Sequence, residues 1–202
     1  MFFPDLIKAL AQRYSFQRSP QTIDELDLKK GIEFFGGRSG DQPIQKFAIW
    51  NSVLVVETVS GTDQCKAVAD NILEWATKEF DLSYVPGSIQ KYAYVSDVSF
   101  YSDAPILDLN PIVRELNATL GKELSEIWHE HLEYQTLSIK FGHDPTSRPF
   151  NIAPFSIERK GDSKFSENKY FSEAPLPTQT HLALLERFEQ QVMMSHGKVG
   201  NV

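Results

Sequence analysis

The chain has 202 residues, of which 41% are hydrophobic, 12% aromatic and 23% charged. This composition excludes wholesale disorder, because enough apolar side chains are present to offset the entropy of ordering. A chain of this length forms a core without disulfides or metals. The net charge of −7 is spread over both halves of the sequence, so the basic stripe typical of nucleic-acid-binding proteins is missing.

Cys65 is the only cysteine, which excludes an intramolecular disulfide and zinc sites with two or four cysteines. Asp5 and Lys8 place acidic and basic groups too early for a signal peptide. No run of 18 apolar residues predicts a transmembrane helix. We therefore expect a cytoplasmic protein without a membrane partner.

The first half of the chain predicts a helix, three strands and a second helix. A helix over 5–14 precedes a polar loop over 15–30 that has room for one helical turn. Strands are predicted over 32–35, 44–50 and 53–59, and the helix over 62–80. Asn51 and Ser52 alone separate the second and third strands, which predicts a tight antiparallel hairpin. The third strand is apolar on both faces, which predicts an interior strand. Cys65 falls on the apolar stripe of the helix and is expected to be a buried, inert thiol.

The second half alternates between the same two patterns. A strand over 89–101 is followed by Asn110-Pro111, a typical helix start, and by an apolar stripe to Trp128. Strands are predicted over 132–141, 150–159 and 167–172, with turns at 143–148 and 160–164. Pro154 predicts that 150–159 is an edge strand or contains a bulge. A helix over 179–194 completes the fold.

These elements predict an α+β fold in the order α-β-β-β-α-β-α-β-β-β-α. We expect a mostly antiparallel sheet of about five to six strands with amphipathic helices packed on it. Residues 1–194 are predicted to form a single domain, and 195–202 a disordered tail. The stretches 32–80 and 132–194 both have the pattern β-β-β-α. Internal duplication and coincidence both explain this, and no repeat of residues accompanies it.

His129, His131 and His143 are the candidate metal ligands. Two imidazoles and the following Glu133 share one face if 129–133 begins a strand. His143 lies at the far end of that strand, roughly 40 Å away if it runs straight, so a shared site requires a bend. The alternative is a polar helix-to-strand junction, with His129 favoured at a helix C-terminus.

Three further motifs each have a structural alternative. Gly36–Gly40 resembles a phosphate-binding loop, yet it leads into a strand, which favours a hairpin. His181 is either a catalytic base or a neutral, packed histidine at a helix start. Residues 159–181 interleave aromatic and basic side chains, as single-stranded nucleic-acid binders do. A short meander with a polar face explains the same residues.

No acid, base, nucleophile or ligand set is well specified, so we expect a non-catalytic interaction or assembly protein without a cofactor. A protein partner or self-association is expected, with a sheet edge such as 150–159 as the contact surface. An enzyme with a dispersed, His-based metal site and a single-stranded nucleic-acid binder are the alternatives.

Overall fold

A computed structural model describes residues 3–81, 84–85, 87–144, 146 and 152–199. Its helices are α1 (Phe3–Arg13), α2 (Thr62–Phe80), α3 (Pro111–Trp128) and α4 (Thr178–Val199). Its strands are β1 (Ile32–Ser39), β2 (Gln42–Ile49), β3 (Leu54–Glu57), β4 (Ser96–Tyr101), β5 (Ser138–Phe141), β6 (Phe155–Arg159) and β7 (Lys169–Ala174). The predicted α+β class and the predicted element order are confirmed, and a 3-10 turn at Ile23–Leu26 fills the expected place in the first loop.

The strands divide between two antiparallel sheets. One sheet has the order β1-β2-β3 and the other has the order β4-β7-β6-β5. The sequence predicts one sheet of about five to six strands, whereas the structure has seven strands in two sheets. Local patterns identify strands, but they do not show which strands pair. Both predicted β-β-β-α stretches form an antiparallel meander followed by a helix, and β4 adds to β7 in the second.

The chain forms two compact units, Met1–Tyr92 and Ala93–Val202. Each unit has its own cluster of buried apolar side chains. We call them unit 1 and unit 2. The prediction of a single domain over 1–194 stays a prediction.

Unit 1 has an aromatic core between its sheet and two helices. Phe34 of β1 and Phe47 of β2 are both buried, with ring centroids 5.8 Å apart. Leu10 of α1 and Ile72 of α2 belong to the same cluster. The helices therefore bury their apolar stripes as their periodicity predicts.

The glycines after the first predicted strand lie inside β1 and its turn. A Cβ at Gly37 would come within 2.5 Å of the Phe16 ring, so glycine lets the chain before β1 pack closely against the strand. Gly40 (φ 59°) and Asp41 connect Ser39 to its partner Gln42. A positive φ at the first central position is the hairpin geometry that favours glycine. The hairpin interpretation is thus confirmed.

The core of unit 2 lies around the two central strands of its sheet. Tyr170 of β7 and Ile157 of β6 are fully buried, together with Ile106 and Leu107 from the loop after β4. Leu185 of α4 completes this cluster. Neither cluster of the described residues includes a side chain of α3.

Three predictions about local environment are wrong. β6 pairs with both β5 and β7, so it is an interior strand; Pro154 precedes it and leaves its ladder intact. β3 is an edge strand, since β2 is its only partner among the described residues. Cys65 is half-buried, with its Sγ 3.3 Å from Thr58 Oγ1; it lies in the first turn of α2, ahead of the buried Val68 and Ile72.

Several predicted boundaries also shift. Of the strand over 132–141 only Ser138–Phe141 is regular, and of that over 150–159 only Phe155–Arg159. Residues 150–151 and parts of the predicted turn at 143–148 lie outside the described residues. The predicted tail 195–202 overlaps the end of α4, and 200–202 lie outside the description. Within the described ranges, no helix has the length and apolar character needed to cross a membrane.

Candidate functional site

Helix α3 has well-defined ends. Asn110 Oδ1 accepts a hydrogen bond from Ile112 N at 2.8 Å, and Pro111 occupies the first helical position. The helix ends at His129, whose φ of 56° is left-handed. The Asn110-Pro111 helix start predicted from the sequence is therefore confirmed. Helix α3 differs from the other helices in what packs against it.

One face of α3 is held by small and polar side chains. Ser125 Oγ accepts a hydrogen bond from Leu132 N at 2.8 Å, and Asn117 Nδ2 donates to Thr136 Oγ1 at 3.2 Å. Between them Gly121 is the only buried residue of the helix, and a Cβ there would lie 2.9 Å from the carbonyl O of Leu132. We call Asn117, Gly121 and Ser125 the docked face. It fixes α3 on the segment 132–136 with almost no apolar burial.

Most of the apolar stripe of α3 faces solvent, and within it only Leu124 is half-buried. The other exposed fractions range from 37% at Val113 to 75% at Ile112, and Trp128 is 67% exposed. We call the exposed set the apolar face; it comprises Ile112, Val113, Leu116, Leu120, Ile127 and Trp128. Isolated exposed hydrophobic residues are common, but a continuous set of this size marks an interaction surface.

A cleft of about 890 Å³ opens beside the docked face of α3. Asn117 and Lys122 line it from the helix, Gln135 and Thr136 from the following segment, and Arg159 from the end of β6. None of the six side chains of the apolar face lines it. The helix thus separates this cleft from an exposed apolar surface.

The structure brings two of the three candidate metal ligands to this cleft. His129 and His131 both line it, as does Glu133. His143 does not; its Nδ1 lies 2.8 Å from the carbonyl O of Asp144 and its Nε2 lies 3.4 Å from Ile152 N. Across the described ranges, no three His, Cys, Asp or Glu side chains are grouped closely enough to hold a metal ion. The His129, His131 and His143 site stays a prediction without geometric support.

His181 lies in a fully buried hydrogen-bond network. Its Nδ1 is 2.8 Å from Ser96 Oγ and its Nε2 is 2.8 Å from Ser172 Oγ. Ser172 Oγ donates its proton to the Ser156 carbonyl O, so it must accept from Nε2–H, and Nδ1 accepts from Ser96. Burial lowers the pKa of His181, while Asp97 and the Ser96 backbone oppose that shift. The packed position of His181 is confirmed, and its lowered pKa favours the neutral ring at neutral pH.

The aromatic and basic side chains of 159–181 bind each other. The Arg159 guanidinium lies over the rings of Phe165 and Tyr170, and the Lys160 ammonium lies over Phe171. Tyr170 is completely buried. A base stacks only on a free ring face, so this segment has the character of a packed meander.

No protein-family model, curated protein or solved structure matches the chain. Any function must therefore be inferred from the residues themselves.

Sequence reasoning missed the two main features of this region. The helical period identifies the apolar side of α3 without showing what covers it. The spacing of Asn117, Gly121 and Ser125, four residues apart, was the available signal for a second, small packing face. In the sequence Arg159 is one of several basic residues of 159–181, and nothing distinguishes it because Gln135 and Phe165 contact it from separate segments of unit 2.

Proposed function

We propose that this chain is a non-catalytic assembly protein that pairs with a second copy of itself through the apolar face of α3. The observation that carries the proposal is the exposure of that face along the whole helix. The buried position of His181 supports the non-catalytic part, since a catalytic base must reach its substrate. A cytoplasmic location fits a chain whose single cysteine is a free thiol.

The extent of the apolar face suits a dimer. Its six side chains are 37–75% exposed along one helix. A contiguous apolar surface of this kind on a monomer marks an interaction site.

The apolar face is self-complementary. It runs from Ile112 to Trp128 with Leu120 at its midpoint, over about 24 Å at 1.5 Å per residue. Two antiparallel copies that cross at Leu120 bring the N-terminal half of each face against the C-terminal half of the other. In such a two-fold dimer each copy covers the apolar face of the other, and no further copies are added.

Glu123 favours the antiparallel arrangement. It lies seven residues after Leu116, on the margin of the apolar face. Parallel helices place such a residue opposite its own copy, where two carboxylates repel. In the antiparallel pair Glu123 lies opposite the level of Asn117, which carries no charge. The helix dipoles also oppose each other favourably.

Light scattering after size-exclusion chromatography tests the pairing. We expect a dimer for the wild type and a monomer for the Leu116→Glu/Leu120→Glu variant, with unchanged circular dichroism because both side chains are exposed. The Lys122→Glu variant is the matched control, since it adds negative charge to the same helix outside the apolar face. A monomeric wild type at tens of micromolar would contradict self-association.

Cysteine cross-linking in a Cys65→Ser background tests the orientation. Leu120→Cys should form a disulfide with its own copy. Ile112→Cys and Trp128→Cys should cross-link when mixed, and neither should do so alone. Efficient cross-linking of Ile112→Cys with itself would show a parallel pair.

A further inference from the structure

Arg159 is held rigidly at the end of β6. Its guanidinium carbon lies 5.1 Å from the Phe165 ring centroid and 5.2 Å from that of Tyr170. Nη1 donates a hydrogen bond to the Phe165 carbonyl O at 3.0 Å, and Nη2 donates to Gln135 Oε1 at 2.6 Å. Two rings and two acceptors therefore fix the plane of the guanidinium before any ligand arrives.

The charge of Arg159 is unbalanced. The ion pairs found among the described residues join Lys46 to Glu33, Lys66 to Asp70 and Arg114 to Asp108, and none involves Arg159. Its Nε is buried without a hydrogen-bond partner. Arg159 is half-buried, and a guanidinium has five donor groups in a fork that matches a carboxylate. The site therefore has a fixed cation with unused donors.

The side chains that line the cleft beside Arg159 indicate which kind of anion can bind there. Asn117, Gln135 and Thr136 line its wall with neutral polar side chains, which are bonded to one another or to Arg159. Glu126, Glu130 and Glu133 also line the cleft, and their negative charges repel a polyanion such as a nucleic acid or a nucleotide more strongly than a single carboxylate. A ligand with one carboxylate and a small polar or apolar body fits both features.

We propose that this cleft binds a small monocarboxylic acid, with its carboxylate on Arg159. The carboxylate supplies the counter-charge that the ion pairs of the described residues do not, and its two oxygens accept from the Nη1 and Nη2 hydrogens that Phe165 and Gln135 leave unused. The site is independent of the proposed dimer, because the cleft and the apolar face lie on different sides of α3.

Nuclear magnetic resonance titration of the full chain with acetate and with the larger probe benzoate tests the site. We expect saturable shifts at the Arg159 Nε–H and at the backbone amides of Gln135 and Thr136. Dissociation constants on the order of 1 mM are expected for so small a contact. Sodium chloride at equal ionic strength should not produce these shifts, and phosphate should bind more weakly than either acid.

Variants make the assignment specific. Arg159→Gln should abolish the saturable shifts and Arg159→Lys should weaken them at least tenfold, because an ammonium lacks the fork. Arg187→Gln, at an exposed position of α4, is the matched control and should bind as the wild type does. If Arg159→Gln fails to fold, Arg159→Lys alone decides. Absence of saturable shifts with both acids, tighter binding of phosphate, or unchanged binding by Arg159→Lys would overturn the proposal.

Discussion

Helices α2 and α3 have nearly equal lengths, 19 and 18 residues, and both carry an apolar stripe at helical spacing. In α2 the stripe is buried at Val68, Ile72 and Ala76. In α3 the corresponding stripe is exposed, and only Gly121 is buried. A helical period therefore identifies an apolar face. Whether that face is buried within the chain depends on the other elements that pack around the helix.

The physical difference lies in the elements that surround each helix. Unit 1 surrounds α2 with α1 and the sheet, and their apolar side chains meet in one cluster. In unit 2 the corresponding place on the sheet belongs to α4, whose His181 and Leu185 are buried. Helix α3 is left with a docked face of small residues. The larger part of its apolar surface is then free for another molecule.

The largest expected effect separates the two stripes directly. Ile72→Ala should lower the free energy of unfolding of unit 1 by about 2–5 kcal/mol, because it leaves a cavity in a packed core. Leu120→Ala should change the stability of monomeric protein by no more than about 0.5 kcal/mol, as for other exposed positions. Urea unfolding followed by circular dichroism at low protein concentration measures both. Equal losses would show that α3 is packed as α2 is.

The sequence predicts the fold to the level of its elements and fails on their surroundings. The hairpin at Asn51-Ser52, the helix start at Asn110-Pro111 and the full element order are readable from local patterns, and the structure confirms them. The exposed α3 stripe, the interior place of β6 and the edge place of β3 depend on which strands and helices meet. Such pairing arises from contacts distant in sequence, which a local period does not contain.

The candidate site shows the same division. His129 and His131 were identifiable as neighbours, and both reach the cleft. The Arg159 environment joins Gln135, Phe165 and Tyr170, three residues from separate segments. No spacing rule links them, because each is placed by its own part of the sheet or loop.

Mild acid is expected to destabilise unit 2 more than unit 1. All five histidines lie in unit 2, and burial holds the pKa of His181 below its ordinary value near 6.5. Below about pH 6.5 the His181 ring binds a proton in the unfolded chain but not in the folded chain. Stability therefore falls as pH decreases, by at most about 1.4 kcal/mol per pH unit, and levels off below the folded pKa.

Hydrogen exchange read by mass spectrometry at pH 7 and pH 5.5 resolves the units. Peptides of β4, β7 and α4 should lose protection on acidification, corrected for the intrinsic exchange rate. Peptides of β1, β2 and α2 should change less, since no histidine lies in them. The His181→Gln variant keeps a donor and an acceptor and should remove the difference. Equal acid sensitivity of both units in the wild type would contradict this account.

The smallest effect concerns the docked face of α3. Alanine is the better helix former by about 1 kcal/mol, so Gly121→Ala would stabilise a helix with free space around it. Here the new Cβ would lie 2.9 Å from the Leu132 carbonyl O, a backbone atom that moves only with the whole segment, and overpacking of this kind costs about 1–3 kcal/mol. We expect Gly121→Ala to lower the free energy of unfolding of unit 2 by about 1 kcal/mol, as measured by thermal or urea unfolding. Thr119→Ala, at an exposed position of the same helix, is the control and should be neutral or slightly stabilising. Self-association should survive Gly121→Ala because the apolar face is untouched, whereas a stabilised Gly121→Ala protein would mean that α3 is not held through this face.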